Sequence, residues 1–402
     1  MHIQEAGVLL MKDVFSHTHL RSTIVVGIGN AIGYALNLVF FILCARYMPI
    51  QEFGVFRYFI ALGMIVYSVL FSGMFTAITQ FLGEKKYGNV VTSSVIFSAV
   101  CLIMILPVLY YIGSIAFTMI CVALYISQIV YSVLRGMGFY RMLAYYLITT
   151  NASRILLLLL LLFFTPALEI FAGIYLLASV FPLPFLISRV LGKKLHTSFS
   201  YATLKKVLRF SVPLYISGIA YILLGNLDAV FISAYLSDVE LSWYMSAKTL
   251  MAVFVFAPFA VSTVLLPETA RDKRLARNLR FGVSFVLLVS TCIAIPFLLF
   301  PKNVILLVYP HEYLDAYVVL PVLSLGMCFF SLSDVFASVW TGFGKPVLEG
   351  FVYGVAACVN ALTLYIIVPK LGILGGAISL LLAYGVSLML WVCLTVAKMR
   401  KG

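Results

Sequence analysis

Among the charged residues in apolar runs long enough to cross a bilayer, Arg57, Arg154, Asp228, Lys248 and Asp334 are the candidates for chemistry. A charge at the bilayer centre costs ~3 kcal/mol on insertion scales, so each of these needs an ion-pair partner or a hydrated cavity. Arginine offers a planar fork of donors and lysine a compact charge, and both bind phosphate well when partly desolvated. Arg57, Arg154 and Lys248 around one cavity would suit an anionic, phosphate-bearing cargo. Arg154 falls about twelve residues into its run, ~18 Å at ~1.5 Å per residue, too deep to reach the interface. Arg57 and Lys248 sit near run ends, where snorkelling to the interface is the competing reading. Asp228 and Asp334 are the acidic candidates. Each would either form a structural pair with a base or bind H⁺ or Na⁺ to couple transport to a gradient. The candidate cavity is therefore Arg57, Arg154, Lys248 and Asp228, and the candidate ion-coupling residues are Asp228 and Asp334.

The elements that must position these groups follow from composition. The chain has 402 residues, 63% hydrophobic and 10% charged, with a mean hydropathy of +1.12. Soluble proteins carry roughly 25% charged residues, so this is a polytopic membrane protein. Apolar runs in lipid must be helical to satisfy their backbones. There is room for about twelve spans of ~20 residues. They are expected at 22–44, 55–79, 91–112, 115–134, 143–164, 168–190, 212–236, 243–267, 281–301, 315–340, 347–369 and 373–397. The cuts near Gly113 and Thr165–Pro166 rest on the shortest turns.

The expected organisation is a lead-in at 1–21, a six-helix lobe at 22–190, a basic linker at 191–211, a second six-helix lobe at 212–397 and a basic tail at 398–402. Of the 27 Lys and Arg residues, 21 fall on the side of the termini and 3 on the other, which predicts cytoplasmic termini. The halves echo each other. Glu52 and Glu240 are 188 residues apart, as are Gln80 and Glu268. Arg135-Gly-Met-Gly138 is matched by Thr341-Gly-Phe-Gly344, with Asn151 and Asn360 following 13 and 16 residues after the second glycine. Six spans per half make parallel repeats about an axis along the membrane normal, with a substrate path between the halves.

Several functions are excluded or disfavoured. The net charge of +13 reports basic loops rather than a nucleic-acid surface. No phosphate loop and no HExxH is present. The five histidines all lie outside the spans, and the seven cysteines, none at C-x-x-C spacing, fall in apolar runs as packing residues. No metal site, no cofactor and no enzymatic activity is expected. Tyr215 and Tyr221, on the run that carries Asp228, are candidates to stack on sugar rings.

Ala45–Gly63 (ARYMPIQEFGVFRYFIALG) and the span ending ITQFLGE resemble the first helices of polysaccharide-biosynthesis flippases of the multidrug/oligosaccharidyl-lipid/polysaccharide exporter superfamily. The stretch Phe210–Leu250 is similar to the start of their second lobe, with Pro213, Asp228, Tyr244 and Ala247 in place. Gly342–Pro346, Asn360 and Leu371–Ser379 resemble their last two helices. The resemblance implies twelve helices in two pseudo-symmetric lobes, as in multidrug exporters of the same superfamily, and alternating access. It implies transfer of a polyprenyl-diphosphate-linked oligosaccharide from the inner to the outer leaflet of the cell membrane, with membrane lipids and enzymes of the same glycan pathway as partners. The cationic lumen of that family would map onto Arg57, Arg154 and Lys248. A cation antiporter of the same superfamily is the first alternative. A membrane glycan polymerase or glycosyltransferase is the second, with only His311 and Glu312 in the 302–314 loop and the adjoining Asp315 to serve it.

Overall fold

The structure, a computed structural model, describes residues 17–83, 89–161, 167–191, 199–258, 261, 275–343 and 347–400. Among them there is no strand. The first half holds α1 (His17–Tyr47), α2 (Ile50–Gly83), α3 (Val90–Gly136), α4 (Tyr140–Leu161), α5 (Leu168–Val180) and α6 (Leu183–Leu191). The second holds α7 (Tyr201–Tyr235), α8 (Asp238–Leu250), a 3₁₀ turn (Met251–Val255), α9 (Leu275–Leu299) and α10 (Pro301–Val308). A second 3₁₀ segment (His311–Val318), α11 (Leu320–Gly342) and α12 (Val347–Met399) complete it. Nine of the described helices are long and apolar enough to cross a membrane.

Two of these helices are hairpins. α3 runs 47 residues and breaks at Gly113 and Ser114, the latter at φ 68°. Unbroken it would reach ~70 Å, more than twice a ~30 Å hydrocarbon core. α12 runs 53 residues and turns at Gly372, φ 59°, a left-handed conformation open to a residue without Cβ. With α5 and α6 as one broken span and α8 continuing through its 3₁₀ turn, the chain makes twelve spans. The expected cut at Gly113 is where the chain breaks. The cut at 165–166 lies outside the described residues.

Some boundaries differ from expectation. The linker expected at 191–211 is helical from Tyr201 onward. Ser200 caps α7, its hydroxyl accepting from the Thr203 N–H. The first turns of α7 then bury Leu204 and Val207 and leave Lys205 and Lys206 exposed, so this basic stretch is an amphipathic extension of the span. The tenth span starts at Leu320 rather than 315, because Pro321 sits in the first helical turn, where its missing N–H costs nothing.

The lobes repeat one another in packing as well as in order. α1 packs along α4 and α7 packs along the first half of α12, the equivalent pair. Asn151 comes within 3.7 Å of the Cβ position of Gly33 on α1, and Asn360 donates to the Leu224 carbonyl on α7 at 3.2 Å. Each echoed asparagine thus faces the first helix of its own lobe.

The lobes meet along α2 and α7–α8 in two seams. At the end carrying the 48–49 turn, Gly54 lies against the Asp238 carbonyl, which a Cβ would meet at 2.3 Å. There Ser242 donates to the Ile50 carbonyl, Arg46 donates twice to the Val308 carbonyl at 2.9 and 3.2 Å, and Phe53 meets Tyr313 edge-on. At the opposite end Gly73 lies against the Ser211 carbonyl, Tyr215 donates to the Leu70 carbonyl at 2.5 Å, and Phe81 packs on Phe210. The 302–314 stretch, expected as a loop, falls mostly within α10 and the second 3₁₀ segment and helps form the first seam.

Candidate functional site

The sequence builds the site from helix starts. The acidic turn at Asp238 and Glu240 is a capping box: Ser237 accepts from the Glu240 N–H, and the Glu240 carboxylate accepts from the Ser237 N–H at 3.1 Å. That fixes the register of α8 and puts Tyr244 and Lys248, four residues apart, on one face. Both point at Asp228 on α7. Tyr244 donates to Asp228 at 2.6 Å. Lys248 donates to its two carboxylate oxygens at 2.7 and 2.6 Å and to the Gly225 carbonyl at 2.7 Å. Asp228 is fully buried and also accepts from the Ala229 N–H at 2.9 Å.

In the first lobe the charges are held differently. Phe40, Phe41, Phe56, Phe171 and Tyr175 form a continuous aromatic cluster. Two guanidinium groups stand on it: Arg57 over Phe41 at 4.1 Å and Arg154 over Tyr175 at 3.7 Å. Arg154 Nη1 donates to Asn151 at 3.0 Å, one turn back on α4, and to Asn37 of α1 at 3.3 Å. The ring faces and amide oxygens replace a counter-ion. Among the described residues no carboxylate pairs with either arginine. The Nε of each is buried without a partner.

A cavity of about 360 Å³ lies between the lobes, walled by Asn37, Phe41 and Arg57 on one side and Gly225, Asn226 and Lys248 on the other. A second compartment of about 310 Å³ opens into the first lobe, with Arg154 in its wall. The two share Tyr34, Asn37 and Met64. Three of the four residues expected around a cavity therefore line this pair of compartments. The fourth, Asp228, is not in the wall; it stands behind Lys248 as its counter-ion. Tyr221 lines the inter-lobe compartment, whereas Tyr215 is spent in a seam.

Asp334 lies apart, half-buried on α11, within electrostatic reach of Glu349, which accepts from Thr341 at 3.4 Å. At the first seam, burial raises the hydroxyl pKa of Tyr309 and Tyr313 above the ordinary phenol value. Tyr309 stays a donor to the Ser246 carbonyl. Of His311, Glu312 and Asp315, only Glu312 has a visible structural task, its backbone carbonyl accepting from Trp243 at 2.8 Å. No group of three metal-ligating side chains occurs among the described residues.

Sequence reasoning missed Asn30, Asn37, Tyr175 and Glu349. The signal for the first two was present: Asn30, Gly33, Tyr34 and Asn37 fall at helical spacing on α1, a polar stripe inside an apolar span.

The model for the family described as polysaccharide biosynthesis protein matches residues 19–271. An uncharacterised membrane protein of Methanocaldococcus jannaschii is 23% identical over 201 residues, 48% of this chain and 39% of the relative. This chain spans under half the length of the curated relatives it matches. Among solved structures, a lipid II flippase MurJ in an inward closed conformation superposes with a TM-score of 0.78 at 15% identity, covering 93% of this chain and 87% of that one. An inward-facing multidrug resistance MATE family transporter of the MOP superfamily gives 0.70 at 17% identity, covering 94% and 98%. The fold is thus that of this superfamily's transporters.

Proposed function

This chain belongs to the polysaccharide biosynthesis protein family, and from that premise we propose that it flips a polyprenyl-diphosphate-linked oligosaccharide across the membrane by alternating access. One observation carries the reading. The paired compartments face three cations against a single carboxylate, and that carboxylate is consumed by Lys248. Among the described residues Arg57 and Arg154 have no carboxylate ion-pair partner, which leaves two positive charges for a cargo. A diphosphate esterified at both ends carries two negative charges, one per phosphate. The cavity charge and the cargo charge match, and a desolvated site makes that match count.

In this reading Arg57 and Lys248 grip the diphosphate between the lobes, Arg154 extends the positive field into the first lobe, and the lipid tail stays in the bilayer. The two seams open in turn. The Lys and Arg asymmetry supports a topology with the 48–49 turn outside and both termini in the cytoplasm, and the proposed cargo makes the cell membrane the site of action. Coupling to H⁺ or Na⁺ falls to Asp334 with Glu349 beside it; Asp228 becomes free for an ion only when Lys248 turns to the cargo. A cationic drug would meet a net positive cavity, which disfavours the antiporter reading.

The test is purified full-length protein in proteoliposomes loaded with a fluorescent polyprenyl-diphosphate oligosaccharide, with and without a proton or sodium gradient. The inner-leaflet pool should become accessible to an external glycosidase faster than in empty liposomes, and Arg57→Ala should abolish the gain. No acceleration with several glycans, alongside gradient-driven efflux of a cationic dye, would overturn the proposal in favour of antiport.

A further inference from the structure

The first-lobe compartment offers hydrogen-bond acceptors as well as donors, which suits a ligand richer in hydroxyls than a diphosphate. Its polar lining includes four carboxamides, Asn30 and Asn37 from α1, Gln128 from α3 and Asn151 from α4, beside the hydroxyls of Ser127, Thr150 and four tyrosines. Asn151 is committed, its amide donating to the Leu147 carbonyl and its oxygen accepting from Arg154. The side chains of Asn30 and Gln128 bond to none of the described residues. Asn37 keeps its amide N–H groups, because only its oxygen is engaged, by Arg154. Among the described residues no carboxylate lines the compartment.

A phosphate oxygen only accepts, so it can use the amide N–H groups of this wall but not the amide oxygens. A hydroxyl both donates and accepts, as an amide does. Arg154 adds one fixed donor: it is 6% exposed, pinned on Tyr175, and its Nε is buried without a partner. Tyr34 and Tyr131 supply aromatic faces in the same wall, suited to the C–H side of a ring. The volume, about 310 Å³, is at the small end of the ~300–1,000 Å³ range of ligand sites. The compartment joins the inter-lobe cavity at Tyr34 and Asn37, so a group held at Arg57 and Lys248 would place its next unit here.

We infer that the first-lobe compartment is a subsite for one uncharged, hydroxyl-rich sugar ring, the ring bonded directly to the diphosphate; this rests on the flippase reading above. The cation pair then reads the carrier and the amides read the first sugar. Units beyond the first fall outside this compartment and are not selected by it.

The experiment measures equilibrium binding by the full-length protein in nanodiscs. The probes are a sugar-free polyprenyl methyl diphosphate, esterified at both ends so that its charge matches and called the bare carrier below, and the same carrier bearing a single glucose, galactose, mannose or N-acetylglucosamine in place of the methyl group. The native protein should prefer at least one glycosylated probe by about tenfold over the bare carrier. Asn30→Ala and Gln128→Leu, separately, should reduce that preference to about twofold or less with bare-carrier affinity unchanged. Arg57→Ala should weaken all probes by one common factor. A native protein that binds the bare carrier and every glycosylated probe equally overturns the inference and leaves the flippase reading standing. So do Asn30 and Gln128 variants that lose bare and glycosylated affinity in parallel. A native protein that binds no probe removes the flippase reading itself, and the subsite with it.

Discussion

Asn151 and Asn360 occupy equivalent places in the two lobes, yet one turn later the lobes part company. Asn151 is followed by Arg154, which it holds by its side-chain oxygen. Asn360 is followed by Thr363, whose hydroxyl only returns to carbonyls of its own helix, those of Val359 at 2.8 Å and Asn360 at 3.1 Å. The repeat kept the carboxamide that packs the fifth helix of each lobe on the first, and gave the charge to one lobe alone. In the second lobe the cavity cation comes from α8 instead, and it comes with its own buried counter-ion. The first lobe therefore presents charge that only a cargo can neutralise, and the second presents charge that is already balanced until the cargo competes for it.

Removing the balance should have the largest effect. Asp228→Asn removes the charge partner of Lys248 while Asp228 itself is fully buried, and breaking one side of a buried pair costs ~3–5 kcal/mol. We expect a large drop in apparent Tm in detergent, substantially recovered in the double variant Asp228→Asn/Lys248→Met. Arg154→Met removes a cation–π contact worth ~0.5–2 kcal/mol and should leave Tm much closer to native while lowering the affinity for a glycosylated carrier. If Arg154→Met destabilises as much as Asp228→Asn, the first-lobe charge is structural and the contrast between the lobes fails.

The seams allow the next comparison. Gly54 and Gly73 are the points of closest approach at opposite ends of α2, and a Cβ would fall 2.3 Å from the Asp238 carbonyl oxygen at one and 2.5 Å from that of Ser211 at the other. Overpacking of this kind costs ~1–3 kcal/mol, enough to shift a two-state equilibrium about 5- to 150-fold. Gly54→Ala should open the 48–49 end and Gly73→Ala the opposite end. Labelling of single cysteines by a membrane-impermeant reagent reads both shifts. Opposite shifts support two seams that alternate; parallel shifts would mean that one rigid contact runs the whole length of α2.

The lobes and most of the cavity were legible in the sequence for a physical reason. A charge in an apolar run is expensive, so Arg57, Arg154, Lys248, Asp228 and Asp334 announced themselves by type alone. Their division of labour was not legible. Whether Asp228 faces the cavity or stands behind Lys248 depends on the four-residue spacing of Tyr244 and Lys248 and on the direction of α8, which is a tertiary fact. Neutral amides carry no such cost signal, so Asn30 and Asn37 passed as ordinary polar residues until α1 was seen to wall both compartments. The amphipathic start of α7 was hidden by its lysines, which read as linker when counted and as one helix face when placed.

The smallest expected effect tests whether the lobes differ where it matters. Thr363→Val keeps the shape of the side chain and removes a hydroxyl that bonds only within its own turn. That bond competes with nothing in the cavity, and such helix back-bonding contributes little to stability. We expect a change in stability within ~0.5 kcal/mol, as for a neutral substitution, and an unchanged glycan transfer rate in proteoliposomes. A marked loss of transfer at native stability would show that the second lobe also reads cargo at the position equivalent to Arg154. The division between a charged lobe and a balanced one would then have to be redrawn as two cargo-reading faces of different polarity.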